Sequence, residues 1–139
     1  VIAYLDSSVL LRMVLRQPDT LTEWAAIRHG VVSALAEVEC LRTLDRLRLR
    51  LQVPDRILAE RRGMVFRFLE AMELVELERP VLHRAGQPFP TELGTLDAIH
   101  LATALAWRER TGADLVMATH DDALGTAARS CGLRVIGIA

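Results

Sequence analysis

The sequence predicts one α/β domain over residues 1–139, a single-domain α/β/α sandwich around a mostly parallel central sheet of about five strands. Three observations carry this. Short apolar runs, Val1–Leu5 first among them, lack the polar alternation of a half-exposed strand and so read as strands covered on both faces. Segments of helical pattern alternate with them over short connections, the order that builds a parallel sheet with helices on both sides. A length of 139 residues, 51% of them hydrophobic and 25% charged, supplies one core of ordinary size and leaves no room for a second.

The elements follow in order. After the strand Val1–Leu5, Ser7 starts a helix through Leu15, and Asp19-Thr20 caps a second helix through about His29, with Gly30 as its stop signal. Val31-Val32 is a short strand. Ser33 caps a long Leu/Arg helix running toward Leu51, and Pro54 at a first-turn position opens another through about Met72. Glu73 to Glu78 alternates glutamate with apolar residues, which reads as a half-exposed strand, with a helix extension as its alternative. Pro80, Gly86, Pro88 and Pro90 make Arg79 to Leu93 a loop or short-helix connection. Leu96 to Arg108 is apolar around nearly its whole circumference, the mark of a buried helix; Thr95 is placed to cap it and Gly112 to end it. Leu115–Ala118 is a fourth strand, Asp121–Ser130 a helix stopped by Gly132, and Leu133–Ile138 a fifth strand.

Composition excludes several chemistries. All 17 basic residues are arginine, and the chain has neither lysine nor asparagine. A Schiff-base lysine, a P-loop lysine and a phosphoacceptor site with an ammonium beside its aspartates are therefore ruled out. A net charge of −1 argues against a basic nucleic-acid arm or a polybasic membrane patch. No apolar run approaches the roughly 18 to 20 residues of a membrane span, and no charged-then-apolar leader opens the sequence, so a cytoplasmic protein with no membrane partner is expected. Cys40 and Cys131 have no ligand-type spacing and read as small buried hydrophobes.

The acids are more informative. Asp6 follows the first strand directly, and Asp121 follows the fourth through Thr119-His120. In a doubly wound parallel sheet all C-terminal strand ends share one edge, so the two meet there if their strands are neighbours. Asp114 precedes the fourth strand and belongs to the opposite edge. Asp97 falls in the first turn of the buried helix, either as a cap or as a ligand. The long helix offers Glu37 and Glu39, which point about 200° apart, and the helical wheel alone does not choose between them. Converging carboxylates with no cysteine or histidine ligand pattern suit a hard cation, Mg²⁺ or Mn²⁺, because such a cluster stays ionised only when neutralised. A cation there would polarise a phosphoryl oxygen and lower the pKa of water. Against this stands the reading of each acid as an ordinary cap or surface charge.

Four stretches, taken together and in order, resemble the PIN domain, and most closely the VapC-type toxin ribonucleases of bacterial toxin–antitoxin pairs. They are Tyr4-Leu5-Asp6-Ser7-Ser8, Ser33-Ala34-Leu35 through Glu39 with Arg42, Thr95 to Ala102, and Thr119-His120-Asp121 with Leu124. The resemblance covers essentially the whole chain. It implies that Asp6, Glu39, Asp97 and Asp121 bind Mg²⁺ or Mn²⁺, with Ser8 and Thr119 as hydroxyls beside them, and it selects Glu39 over Glu37. Set those four aside and 14 of the 18 acids remain against 17 arginines. The activity implied is metal-dependent endoribonuclease hydrolysis of RNA leaving a 5′-phosphate, with structured RNAs such as tRNA or rRNA loops as substrates. The partners implied are a VapB-type antitoxin and a homodimer or higher toxin–antitoxin assembly. The alternatives are an RNA-processing PIN nuclease that is not a toxin, and a catalytically silent PIN-like scaffold binding RNA or protein.

Other groupings weigh less. A haloacid-type phosphatase needs an aspartate where Ser8 stands. His100, three residues after Asp97, reads as a packing residue ahead of a catalytic one; His83 and His120 have weaker claims, though His120 sits in the strand-end loop. Trp24 and Trp107 read as packing or interface residues. Arg42, Arg46 and Arg50 recur every four residues on the Glu39 face, a solvated stripe by default and an RNA-phosphate contact by function. Leu10, Leu11, Leu15, Leu21 and Trp24 exceed what one side of a small sheet requires, leaving core, homodimer and antitoxin groove as their possible uses.

Overall fold

The computed structural model describes residues 1–138. Its elements are β1 (Ile2–Leu5), α1 (Ser7–Val14), β2 (His29–Ser33), α2 (Ala34–Leu51), α3 (Asp55–Glu70), β3 (Glu73–Val75), α4 (Arg79–Ala85), α5 (Thr95–Thr111), β4 (Leu115–Ala118), α6 (Asp122–Ser130) and β5 (Arg134–Ile136). The five strands form one sheet in the order β3-β2-β1-β4-β5, and every neighbouring pair is parallel. The chain works outward from β1 through β2 to β3, crosses back over the sheet, and continues as β4 and β5. Its winding therefore reverses between β1 and β4, where the strand ends leave a crevice.

Two cores cover the two faces. Tyr4 and Val31 point to one side, against Leu101, Ala104 and Leu105 of α5 and Leu124, Ala127 and Ala128 of α6. Val32 points to the other, among Leu10 and Val14 of α1, Ala36, Cys40 and Leu44 of α2, and Val65 and Leu69 of α3. Being buried on both faces is what makes β1 and β4 uniformly apolar in sequence. Leu10 and Leu21 are thus core residues, with Leu11, Leu15 and Trp24 packed partly buried beside them. Trp107 is a packing residue as well: its indole N–H donates to Glu73 Oε2 at 2.7 Å and ties α5 to β3. Both cysteines are free, Cys40 buried in the core.

The expected helix over Asp19–His29 does not form. Arg16 and Asp19 take left-handed backbone conformations (φ 52° and 59°), which turn the chain after α1, and only the single 3-10 turn Trp24–Ala26 follows. His29 and Gly30 already belong to β2, paired with Ile2 and Ala3. Gly30 is present for space, since a Cβ there would stand 3.0 Å from Met72 Cγ and 3.1 Å from Leu5 Cδ1. Smaller differences concern ends. β3 stops at Val75, α5 is capped by Gly94 with Thr95 already helical, Pro54 is the N-cap of α3 and not in its first turn, and β5 spans three residues only.

Gly137, just past β5, has φ 102°, and a Cβ on it would lie 2.4 Å from the Thr119 carbonyl oxygen. Thr119 in turn donates its backbone N–H to Ile136 O at 3.0 Å. Gly137→Ala is expected to lower unfolding free energy by about 2 kcal/mol or more in urea denaturation, through backbone strain and displacement of the β4 end.

Candidate functional site

β1 and β4 run side by side from Ile2↔Leu115 to Leu5↔Ala118, and the Asp6 N–H donates to Ala118 O at 3.0 Å. Asp6 and the Thr119–Asp121 loop consequently leave the sheet together. The Asp6 carboxylate is held in one orientation: Oδ2 accepts from Ser8 Oγ at 2.7 Å and Thr119 Oγ1 at 2.9 Å. The same hydroxyl oxygens accept backbone N–H bonds from His120 (3.0 Å, to Ser8) and Asp121 (3.0 Å, to Thr119). Ser8 and Thr119 thus act as connectors between β1 and the β4–α6 loop. His120 closes the loop on its other side, its Nδ1–H donating to Gly137 O at 2.7 Å.

Three of the four acids sit at helix N-termini. Asp6 is the N-cap residue of α1, Asp97 lies in the first turn of α5, and Asp121 caps α6, its Oδ1 accepting from Leu124 N at 2.9 Å. Converging positive helix ends favour negative charge at this point. They do not fully offset the crowding. The Asp97 carboxyl is pushed up to about 6, by burial first and then by the negative charges of Asp121, Asp6 and Glu39. That ordering brings Asp97 and Asp121 into one electrostatic neighbourhood with the pair from β1 and α2. Asp114, as expected, lies elsewhere, paired with Arg134 at 2.9 Å.

Glu39 is the acid of α2 that turns inward. Its Oε1 accepts from His100 Nε2 at 2.5 Å, while that nitrogen lies 3.5 Å from Asp6 Oδ1. His100 is fully buried, and its Nδ1 is 2.7 Å from the Tyr4 hydroxyl. The packing role expected of His100 is therefore too modest, because the ring contacts two of the site's carboxylates. Burial alone would lower its pKa, but the Glu39 hydrogen bond and the charges of Asp6, Glu39 and Asp97 raise it overall. Tyr4 and His100 are the residues that sequence reasoning did not place. A signal existed: a lone tyrosine in a buried strand needs a partner for its hydroxyl, and a histidine on an otherwise apolar helix needs two.

Asp6, Glu39 and His100 each present a ligand-type atom within 4.8 Å of the others. The donors in the wider cluster are chiefly carboxylate and hydroxyl oxygens, the set a hard divalent cation takes. Burial and, after it, the charges of Asp121, Asp6 and Glu39 raise the Asp97 pKa, both of which a bound cation would offset. The residues present fit such an ion.

The arginine stripe is only partly open. Arg42 pairs with Asp45 at 2.9 Å, and Arg48 reaches the same carboxylate at 3.0 Å. These hydrogen bonds hold the Asp45 carboxyl below its ordinary range. Arg46 and Arg50 are exposed on the following turns, Arg46 donating to Thr43 Oγ1 at 3.2 Å.

The raised Asp97 pKa has a consequence for cation-free protein. A carboxyl whose folded pKa is above its unfolded one binds more protons when folded, so its contribution is present below about 3.8 and lost as pH rises to about 6. In EDTA, Asp97→Asn is expected to gain stability relative to the parent chain as pH rises from 4 to 6.5, read as the difference in urea midpoints. A constant difference over that range would remove the assignment.

The PIN domain family matches residues 3–129. The chain is 38% identical over 138 residues to ribonuclease VapC46 of Mycobacterium tuberculosis (strain ATCC 25618 / H37Rv), covering 96% of this chain and 95% of that one. It is 29% identical over 136 residues to ribonuclease VapC47 of Mycobacterium tuberculosis (strain CDC 1551 / Oshkosh), covering 93% and 91%. Two solved structures share the fold: FitAB bound to an IR36 DNA fragment (TM-score 0.69, 16% identity, 96% and 93% covered) and VapBC2 from Rickettsia felis bound to a promoter DNA fragment (TM-score 0.67, 11% identity, 97% of each). A toxin–antitoxin complex from Klebsiella pneumoniae gives TM-score 0.66 at 15% identity, covering 99% and 95%. With its winding reversed at the acid-bearing strand ends and its sequence matched along nearly its whole length, the chain belongs to the PIN-domain family, as a relative of the VapC ribonucleases.

Proposed function

We propose that Asp6, Glu39, Asp97 and Asp121 hold a divalent cation, Mg²⁺ or Mn²⁺, and that the chain uses it as an endoribonuclease, cutting RNA to leave a 5′-phosphate. One observation carries the cation: Asp6, Glu39, Asp97 and Asp121 gather at one strand-end crevice, where burial first and then the neighbouring acids push the Asp97 carboxyl up to about 6, a crowding of charge that a bound cation relieves. Kinship to the VapC ribonucleases supports the reaction and the substrate class. When bound, the ion supplies Lewis acidity to the scissile phosphoryl group and acidifies the attacking water.

The chain's own part is positioning. The two hydroxyls on Asp6 Oδ2 fix that carboxylate and leave Oδ1 toward the cluster. Asp121, with Oδ1 engaged on the first turn of α6, has Oδ2 left for the ion. Arg46 and Arg50 receive RNA phosphates beyond the cut, where guanidinium groups make charge-assisted contacts. In its biological setting the chain is a toxin, silenced by a VapB-type antitoxin in a dimeric or larger assembly, and cytoplasmic. Within the described residues, no helix is long and apolar enough to cross a membrane.

Asp97→Asn is expected to reduce RNA cleavage to the level seen in EDTA while the circular dichroism spectrum and melting cooperativity stay those of a folded chain. Restored cleavage in Mn²⁺ by that variant would count against the site. For the stripe, replacing both Arg46 and Arg50 by Ala should flatten the log–log salt dependence of RNA binding by about 1.4, two contacts at about 0.7 each on single-stranded nucleic acid. An unchanged slope would assign the stripe to solvent.

A further inference from the structure

We propose that His100, backed by Tyr4, is the positioning residue that aims the Glu39 carboxylate into the acid cluster, and that it does so as an N–H donor, never as a ligand of the cation. The inference rests on the cation site proposed above and adds a role for two buried residues that the reaction does not otherwise use.

Hydrogen-bond roles in the relay are fixed from both ends. Glu39 Oε1, 2.5 Å from His100 Nε2, belongs to a carboxylate and can only accept, so Nε2 carries a proton. In the neutral ring, Nδ1 is then an acceptor, and the Tyr4 hydroxyl at 2.7 Å donates to it. In the cationic ring, Nδ1–H donates to the same oxygen. Nε2 keeps its proton in both states and has no lone pair to offer a metal.

Distance gives the same answer. Two donors on one ion at about 2.0–2.2 Å each stand roughly 3 Å apart, whereas Nε2 and Oε1 are 2.5 Å apart. Asp6, Glu39 and His100 resemble a three-residue ligand set in their spacing, yet one of the three is committed to another.

Placement explains why this pair can act on Glu39. Tyr4 precedes Asp6 by two residues on β1 and so shares its side of the strand, and His100 follows Asp97 by three on α5 and so shares its face of the helix. The relay therefore joins two of the elements that carry the acids, β1 leading into Asp6 and α5 carrying Asp97. Its end reaches Glu39 on the third, α2. Of the four acids, Glu39 has the longest side chain and no hydroxyl or cap to hold it; among the described contacts its orienting partner is His100. The imidazole also lies 3.5 Å from Asp6 Oδ1, but its Nε2–H is donated to Glu39. Groups that orient metal ligands in this way typically change metal affinity 10- to 100-fold when removed.

The test is Mn²⁺ binding by the purified chain, measured by calorimetry and by electron spin-echo spectroscopy without RNA. His100→Leu, similar in volume, is expected to raise the Mn²⁺ dissociation constant about 10-fold or more. Tyr4→Phe, which removes one oxygen and keeps the ring, should raise it by a smaller factor, and His100→Gln, which restores an N–H donor, should recover part of the loss. In a Glu39→Gln background His100→Leu should add nothing, since His100 acts only through Glu39. The spin-echo spectrum of the parent chain should show no directly coordinated nitrogen. A nitrogen ligand, an unchanged dissociation constant in His100→Leu, or the full loss persisting in the Glu39→Gln background would each overturn the proposal. If His100→Leu does not fold, Tyr4→Phe, His100→Gln and the parent spectrum still decide it. A parent chain that binds no Mn²⁺ overturns the cation site itself, an outcome distinct from all of these.

Discussion

The parallel pairing of β1 with β4 is the constraint on which the rest depends. Four residue pairs, Ile2↔Leu115 to Leu5↔Ala118, join strands far apart in sequence at the point where the winding reverses. The same pairing makes the site expensive, because it delivers carboxylates to a crevice where water is scarce. Compensation comes from backbone and hydroxyl groups already required by the fold. Ser8 and Thr119 donate to Asp6, Leu124 N–H of α6 donates to Asp121, and Asp6 and Asp97 stand at the positive ends of α1 and α5. What remains uncompensated collects on Asp97, at the mouth of the most buried helix.

Burial on both faces explains why so much of this was legible in the sequence. Val1–Leu5 and Leu115–Ala118 could be read as interior strands because neither shows alternation; parallel topology put their ends on one edge, and the pairing of β1 with β4 makes them neighbours there. The N-cap at Ser33 and the helix start at Asp121 were legible for a local reason: both side chains bond their own helix within three residues. The region Asp19–His29 was misread because cap-type residues there serve a turn. Asp19 is left-handed, and the edge pairing of His29 and Gly30 with β1 overrides any helical preference. Such long-range pairing leaves no trace in local pattern.

Within the site, legibility divides along the same line. Asp6 and Asp121 were placed by topology, and Asp97 by its position in a helix's first turn. Glu39 could not be separated from Glu37 on the helical wheel, because both neighbour apolar residues. What separates them in the structure is one contact across 61 positions of sequence, from His100. His100 itself read as packing because its two partners, Tyr4 and Glu39, belong to other elements. The family resemblance selects Glu39 without that contact; physics alone needs the fold.

The same geometry accounts for a near-neutral protein whose relatives act on RNA. Arg42 stands closest to Glu39 on α2, and it is neutralised locally by Asp45, which also takes Arg48. Among the described residues, positive charge on that face with no acidic partner therefore begins at Arg46, about 10 Å along the helix axis from Glu39, and continues at Arg50 about 6 Å further. On the proposed function, positive charge at the cleaved phosphate comes from the cation, and charge that holds the RNA strand comes from the far turns of α2. An arginine free beside the carboxylates would instead compete with the cation for them, since a bidentate guanidinium satisfies a carboxylate well. A net charge of −1 is then the sum of an acid pocket and a basic helix face held apart, and it understates both.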